Sequence, residues 1–262
     1  MRVCSIASGS SGNCIYAGTD HTHLLIDAGC SKKKIVEGLG GLGLALDDIS
    51  AILLTHEHSD HVAGLRTLMK HCDVPLYATS GTLAALTRDD AGQQTRYTIA
   101  AGESFAIGDL TAQPFAISHD AAEPVCYRIT ADDGAVFAMA TDLGCYDEDT
   151  IAHLTGADVL LLEANHDIRM LQTGPYPYPL KQRILGDKGH LSNDASGALL
   201  SRVLHDGLKA VMLGHLSERN NLQELAYETV RLEVEMGDTP YHASDFRLMV
   251  ADRHLPSAAL SF

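Results

Sequence analysis

A dense group of metal-binding side chains lies in one short run of this sequence, the HEHSDH segment from His56 to His61. An apolar run ends at Thr55, and a helical pattern begins near Asp60, so the segment lies between a strand and a helix. His56 and His58 point the same way from an extended backbone, whereas Asp60 and His61 can face a second ion from the first helical turn. A buried cluster of this kind is costly without a compensating ion, so the segment predicts a metal site.

Further candidate ligands follow other apolar runs along the chain. The HEHSDH segment supplies too few ligands to close two metal sites, so other His and Asp residues should project from later strand ends. His119, Asp142 and His215 each lie just beyond an apolar run. Asp27 has the same placement, although a lone Asp at a strand end is often only a turn residue.

The elements that must position these residues alternate in type along the chain, which predicts an α/β fold. Strand-like runs cover 24–26, 51–54, 110–117, 125–130, 135–140, 159–162, 211–213 and 246–250. Helical patterns cover 31–39, 60–71, 81–87, 192–204 and 222–235. No repeat, low-complexity tract or composition break marks a linker, so we expect a single domain over residues 1–262.

The least regular stretch runs from Gln172 to Gly189 and contains three prolines. A loop this long in a compact domain is usually functional or mobile, and a plain surface excursion is the alternative. It carries Lys181, Arg183 and Lys188, which we interpret as contacts for a nucleic-acid backbone.

The composition limits the classes of function. The chain has 262 residues, 45% of them hydrophobic, which suffices for a full core. Its net charge of −15 argues against broad attraction to nucleic acid, because such binding needs Lys and Arg to neutralise phosphates. The N-terminus has no long apolar segment, and no stretch approaches the ~18 apolar residues of a membrane span, so we expect a cytoplasmic protein that does not contact a membrane. Six scattered cysteines without a CxxC pair favour reduced thiols.

The candidate ligands, taken in order, resemble the motifs of the metallo-β-lactamase superfamily over nearly the whole chain. The resemblance implies an αββα sandwich, with two mixed sheets flanked by helices. It also implies two divalent metal ions and a role for each ligand. One ion would be held by His56, His58 and His119, the other by Asp60, His61 and His215, with Asp142 bridging the two and Asp27 bracing the histidine loop.

The ligand set narrows the chemistry. An Asp60–His61 pair with a bridging Asp142 suits Mn²⁺ or Zn²⁺, with Fe²⁺ as a third option, and two metals are the standard apparatus for phosphodiester cleavage. The segments 118–120, 162–166, 189–192 and 214–217 are similar to segments of the phosphodiesterase branch that includes RNase Z.

By this resemblance, three residues are catalytic candidates. His190 would contact a phosphoryl oxygen or protonate the departing 3′-oxygen, and Glu163 would orient His190 or the adjacent Asp60–His61 region. Asp60 is the third catalytic candidate, because it would be a ligand of a metal ion at the cleaved bond. A capping or surface histidine is the alternative for His190, since Gly189 and Ser192 also suit a helix start.

The sequence also resembles the bacterial YycJ (WalJ) family in four segments, 8–13, 27–29, 119–124 and 162–167. That family is associated with 5′-to-3′ exonuclease activity on DNA, a preference for manganese, and DNA repair. The resemblance implies DNA with a 5′ end as the partner and leaves a homo-oligomer open. Ser10, in the glycine-rich 8–13 segment, is a candidate contact for a terminal phosphate, with a tight turn between the first two strands as the alternative.

Other functions remain open from the sequence. A phosphodiesterase acting on RNA or on a small cyclic phosphate is the nearest alternative, and the acidic composition slightly favours a small substrate. A thioester or ester hydrolase of the glyoxalase II type lacks support from the Glu163 and His190 segments. A non-enzymatic metal-binding module would leave the complete ligand set unexplained.

Overall fold

The computed structural model describes residues 1–86 and 95–262. Its strands are β1 (Arg2–Ala7), β2 (Cys14–Gly18), β3 (His23–Ile26), β4 (Ala51–Leu53), β5 (Leu76–Thr79), β6 (Arg96–Ile99), β7 (Phe105–Ile107), β8 (Leu110–Ala116), β9 (Val125–Ala131), β10 (Val136–Ala140), β11 (Val159–Glu163), β12 (Ala210–Gly214), β13 (Arg247–Val250) and β14 (Leu260–Ser261). Its α-helices are α1 (Lys32–Gly41), α2 (Ser59–Val62), α3 (Leu65–Met69), α4 (Ser80–Ala85), α5 (Glu148–Leu154), α6 (Ile168–Thr173), α7 (Tyr178–Leu185), α8 (Asn193–Val203) and α9 (Gln223–Met236), with a short 3-10 helix at Leu46–Asp48.

The described strands form two seven-stranded sheets. The first has the order β14-β1-β2-β3-β4-β5-β6, and the second has the order β13-β12-β11-β10-β9-β8-β7. In each sheet one half is antiparallel, while β3 to β6 and β10 to β13 pair in parallel. Parallel neighbours end at the same edge of a sheet, so the segments that follow them lie side by side.

Burial on both faces explains the unbroken apolar runs of the central strands. Every residue of β10, β11 and β12 is buried, as expected for parallel strands that are covered on both sides. One large apolar core joins the facing sides of the two sheets and extends to α8 and α9. A second core packs α1 and α3 against the other side of the first sheet. The predicted sandwich of two mixed sheets flanked by helices is therefore confirmed.

The structure differs from the sequence prediction at two helical segments. The pattern predicted as one helix over 60–71 is divided into α2 and α3 at Gly64. The stretch 172–189, predicted as a long loop, contains the end of α6 and all of α7. Its prolines do not prevent this, because Pro177 and Pro179 fall at the N-cap and in the first turn of α7, where a backbone N–H is not needed.

Several unpredicted strands lie at sheet edges, including β6, β7 and β14. Short and half-exposed edge strands carry no continuous apolar run, so their sequences give little signal. The helical pattern predicted over 81–87 is confirmed up to Ala85, and Thr87 lies outside the described residues. Among the described helices, none combines the length and apolar character needed to cross a bilayer.

Two glycines allow the segments after β3 and β4 to approach each other closely. A Cβ atom on Gly29 would lie 1.7 Å from the backbone oxygen of Asp60, and one on Gly64 would lie 1.9 Å from the backbone oxygen of Cys30. Both obstacles are backbone atoms, which cannot rotate away as a flexible side chain could. The approach brings the HEHSDH segment against the residues that follow Asp27.

We expect Gly29→Ala to lower the free energy of unfolding by at least about 2 kcal/mol, since the added methyl group overpacks two backbone segments. Gly40→Ala is a matched control, because a Cβ there meets nothing within 4 Å. Inside α1 it should raise stability by about 0.5 to 1 kcal/mol. Urea unfolding followed by circular dichroism measures both, and equal stability of the two variants would contradict the close approach.

Candidate metal centre

Three residues after strand ends adopt an unusual backbone conformation. The φ angles are 62° at Asp27, 61° at Asp142 and 55° at His215. Asp27 directly follows β3, His215 directly follows β12, and Asp142 lies two residues beyond β10. Residues other than glycine rarely adopt this left-handed conformation, and they keep it where surrounding contacts fix it. The chain thus turns sharply at three points, and each turn directs a polar side chain into one site.

The first cluster consists of three imidazoles. His56 and His58 come from the extended segment after β4, and His119 follows β8 across the sandwich. The ring centroids are 4.6 Å apart for His56 and His58, and 5.0 Å apart from each of these to His119. One nitrogen from each ring lies within 4.8 Å of the other two, which suits a single bound cation.

The second cluster consists of Asp60, His61 and His215. Asp60 and His61 lie in α2, and His215 follows β12. The Asp60 Oδ2 atom lies 3.5 Å from His61 Nε2 and 3.4 Å from His215 Nε2. These ligand atoms also lie within 4.8 Å of one another.

Asp142 lies between the two clusters. Its Oδ2 is 3.4 Å from His61 Nε2, and its Oδ1 is 3.3 Å from His215 Nε2 and 4.0 Å from His119 Nε2. The Asp142 Oδ2 atom is buried without a hydrogen-bond partner, and so is His56 Nε2. Leaving such atoms without a partner is costly, so Asp142 Oδ2 and His56 Nε2 fit the role of ligands to a cation. The fold and its His and Asp clusters are suited to binding divalent metal.

Hydrogen bonds on the far side of each ring direct the ligand nitrogens. His61 donates from Nδ1 to Asp27 Oδ2 at 2.7 Å, and His119 Nδ1 lies 3.2 Å from the Gly189 carbonyl oxygen. His215 Nδ1 lies 3.0 Å from Glu163 Oε1. In all three, Nε2 is left to face the clusters.

Asp27 supports the HEHSDH segment through Thr55 as well as through His61. Its Oδ1 accepts from the Thr55 backbone N–H at 2.9 Å, and its Oδ2 accepts from the Thr55 hydroxyl at 2.9 Å. The carboxylate is buried, with 2% of its surface exposed. This arrangement corresponds to the bracing position expected from the sequence.

Burial and neighbouring charges set the protonation of the rings. Burial lowers the pKa of His56 well below its usual value, and the neighbouring histidines add to this. Burial disfavours protonated His61 and His215, but the surrounding carboxylates, Asp142 foremost, together outweigh it and raise both pKa values, that of His215 to about 10. The carboxylates therefore hold protons on two rings when no cation is bound. Since a cation would displace those protons, its affinity should rise with pH.

Glu163 connects His190 to the same cluster. This carboxylate is fully buried, and its Oε1 lies 2.7 Å from His190 Nδ1 and 3.0 Å from His215 Nδ1. Its Oε2 accepts from the backbone N–H groups of Leu143 and Leu191. Burial opposes the charge of Glu163, but His190 and His215 together outweigh it and hold the pKa of Glu163 well below its usual value. His190 is thus fixed at the edge of the clusters, with Nε2 unused by Glu163.

A cavity of about 220 Å³ opens over the clusters. Its walls include Ser10, Tyr176, Arg183 and His190 together with the ligand side chains Asp60 and His215. The α7 helix, which the sequence did not predict, supplies one wall through Leu180, Arg183 and Ile184.

The predicted basic residues do not form a track along the cavity. Arg183 lines it, but its guanidinium is paired with Asp120, with Nη2 donating to Oδ1 at 3.0 Å. The Lys181 ammonium donates to the backbone carbonyl of Gln172, and Lys188 is exposed. Neither lysine is among the residues that line the cavity.

Sequence reasoning did not single out three polar residues that hold the site together. Thr55 contacts Asp27, His56 and His61. The Asn13 amide lies 3.3 Å from Asp60 Oδ2, and Asn165 donates to the His215 carbonyl oxygen at 2.9 Å. Asn13 and Asn165 lie inside segments that resemble a known family, which is the signal that could have identified them.

Comparisons with known proteins bear on the family and the fold of this chain. A family model described as a beta-lactamase superfamily domain matches residues 22–216. Exodeoxyribonuclease WalJ of Streptococcus pneumoniae serotype 2 is 39% identical over 244 residues, covering 91% of this chain and 90% of that protein. Exodeoxyribonuclease YycJ of Bacillus anthracis is 38% identical over 237 residues, covering 90% of this chain and 89% of that protein. Zn²⁺-bound PqqB from Methylobacterium extorquens has a TM-score of 0.73 at 23% identity, covering 100% of each chain, a likeness that shows the fold alone.

We expect Asp27→Asn to weaken divalent metal binding by about 10- to 100-fold, because the amide has one oxygen and cannot accept both from the Thr55 backbone N–H and from His61, which bond different oxygens of the carboxylate. Competition with a chelator, followed by measurement of bound metal, gives the affinity. Asp238→Asn is a matched control at an exposed position. Unchanged affinity in a folded Asp27→Asn protein would contradict the bracing role.

Proposed function

We propose a function from the premise that this chain belongs to the beta-lactamase superfamily and, within it, to the family of the exodeoxyribonucleases WalJ and YycJ. The family resemblance identified from the sequence is confirmed. The protein is a metal-dependent phosphodiesterase that degrades DNA from 5′ ends, acts in DNA repair and works as a single domain. The observation that carries the proposal is the buried Glu163 carboxylate, which holds His190 beside seven converging metal-binding side chains.

Two divalent ions complete the site, Mn²⁺ or Zn²⁺ with Fe²⁺ as a third option. His56, His58 and His119 would hold one ion, Asp60, His61 and His215 would hold the other, and Asp142 would be a ligand shared between them. Support comes from the convergence of these ligand atoms, in which His56 and His61 also group with Asp142, and from the unpartnered Asp142 Oδ2 and His56 Nε2 atoms. Two such ions lower the pKa of water and stabilise charge on phosphoryl oxygens.

The side chains around the ions orient the substrate. His190 contacts a phosphoryl oxygen through Nε2 or gives a proton to the departing 3′-oxygen, while Glu163 accepts from its Nδ1 and fixes the ring plane. Ser10, which also lines the cavity, contacts phosphate. Tyr176 and the α7 side chains Leu180 and Ile184 pack against sugar and base.

Arg183 contacts the DNA backbone only in part, since Asp120 already accepts two of its hydrogen bonds. Lys181 and Lys188 contact backbone beyond the cavity. A cytoplasmic location remains a prediction of the sequence.

A small phosphodiester is the second candidate substrate. The cavity of about 220 Å³ and the net charge of −15 favour it over a long polyanion. RNA is the third candidate, since it offers the same phosphodiester linkage as DNA.

Degradation assays on several substrates test the proposal. Chelated protein reloaded with Mn²⁺ should shorten duplex DNA from the 5′ end, so that a 5′ label is lost before a 3′ label. We expect weaker activity on precursor tRNA and on cyclic phosphodiesters assayed side by side, because the family relatives are named for DNA. Faster loss of the 3′ label, or faster cleavage of a cyclic phosphodiester, would reject the proposed substrate.

We expect His190→Ala to lower kcat on 5′-ended DNA by about 100- to 10,000-fold with unchanged metal content, because the ring contributes hydrogen bonding or proton transfer. Glu163→Gln should lower kcat less and shift its pH profile, because the amide keeps one of the two accepting oxygens that bond His190 and the backbone N–H groups. His254→Ala is the control at an exposed histidine. Unchanged turnover of His190→Ala with unchanged metal content would remove His190 from the mechanism.

A further inference from the structure

Arg253 carries a buried polar group that the proposed mechanism does not use. Its Nη2 atom donates to the backbone carbonyl of Leu216 at 2.7 Å. Its Nη1 atom is buried without a hydrogen-bond partner. Within residues 1–86 and 95–262, no carboxylate forms an ion pair with this guanidinium, although the chain has a net charge of −15. Arg253 as a whole is half-buried, but a buried guanidinium nitrogen without an acceptor is costly, which suggests that a partner from outside the chain completes it.

A second cavity gives an external group access to Arg253. Its volume is about 110 Å³, several times the roughly 30 Å³ that one water occupies in the liquid. Arg253, Ser8, Ser217 and Asn221 contribute polar side chains to its walls, and the exposed Glu218 is its acidic member. Ser217 also lines the cavity over the metal-binding clusters, so the two cavities adjoin.

The surrounding side chains can donate hydrogen bonds to an anion. Ser8 Oγ accepts from the His215 backbone N–H at 2.8 Å, which leaves its hydroxyl proton to donate. Ser217 Oγ accepts from the Asn220 backbone N–H, so its hydroxyl proton is also available to donate. The Lys34 ammonium donates to the Arg253 carbonyl oxygen at 3.0 Å and adds a second positive charge nearby.

We propose that Arg253, Ser8 and Ser217 form a phosphate subsite next to the metal centre. This subsite rests on the proposed function, because its ligand is a phosphoryl group of the DNA substrate. A planar guanidinium binds phosphate oxygens through two parallel N–H groups, which accounts for an Nη1 atom without a protein partner. The phosphoryl group is either the 5′-terminal monoester or a backbone diester one nucleotide from the cleaved bond.

The subsite would make the site sensitive to the end of a DNA strand. Arg253 holds the carbonyl of Leu216, which directly follows the cluster residue His215. A phosphate bound there is therefore anchored to the same segment that presents His215. A terminal phosphate in this position would set the neighbouring phosphodiester over the metal-binding side chains.

Kinetics with matched DNA ends test the subsite. On metal-loaded protein, we expect Arg253→Met to raise KM for 5′-phosphorylated DNA by about 10- to 100-fold. If the ligand is the terminal monoester, KM for 5′-hydroxyl DNA stays unchanged, and if it is a backbone diester, both KM values rise together. Arg231→Met is the matched control, since that arginine is half exposed and pairs with Glu228 on α9. Unchanged KM values for both DNA ends would overturn the proposal.

A binding measurement separates failure of the subsite from failure of the proposed function. Inorganic phosphate should raise the Tm of the metal-loaded wild type and of Arg231→Met more than that of Arg253→Met. Arg253→Lys, which keeps the charge but loses the two-point contact, should lie between them and serves if Arg253→Met fails to fold. Equal Tm shifts in all folded variants would reject the subsite. Absence of DNA degradation together with the expected Tm shifts would reject only the proposed function.

Discussion

The crowding of buried carboxylates and imidazoles into one site is the constraint on which the rest of the structure depends. Asp142 lies within 4.0 Å of nitrogens from His61, His119 and His215, yet its Oδ2 atom has no hydrogen-bond partner. Protein groups alone do not satisfy these atoms, and a cation of suitable charge does. Holding such groups together requires a left-handed backbone at Asp27, Asp142 and His215. It also requires glycine at positions 29 and 64, where two backbone segments approach closely.

The two-sheet architecture meets this need by bringing distant segments to one edge. Parallel strands β3 and β4 end beside each other in the first sheet, as do β10, β11 and β12 in the second. Apolar residues inside the sandwich hold the strands in place, so the polar side chains at the strand ends are also held in fixed positions. Asp27 and Glu163 then orient the rings of His61 and His215 with short hydrogen bonds, which leaves the Nε2 atoms of these rings facing the clusters.

The chemistry of the cavity reconciles an acidic protein with a polyanionic substrate. Under the proposed function, binding would not depend on a broad basic surface, because the charges that face the substrate would be divalent cations and a few arginines. Arg183 is already paired with Asp120, whereas Arg253 retains an unpartnered nitrogen beside the cluster segment. This distribution favours recognition of individual phosphates close to the cleaved bond over contact along a length of duplex.

The sequence by itself determined the α/β class, the order of the ligand motifs and their placement after apolar runs, since these depend on local periodicity and residue type. Only the tertiary structure decided the contacts between segments that are far apart in the chain. The pairing of Arg183 with Asp120, the folding of 178–185 as a helix and the position of Arg253 beside the segment at Ser8 were not readable from local patterns. Such contacts depend on how the two sheets pack, and no short stretch of sequence encodes the distance between residues on different sheets.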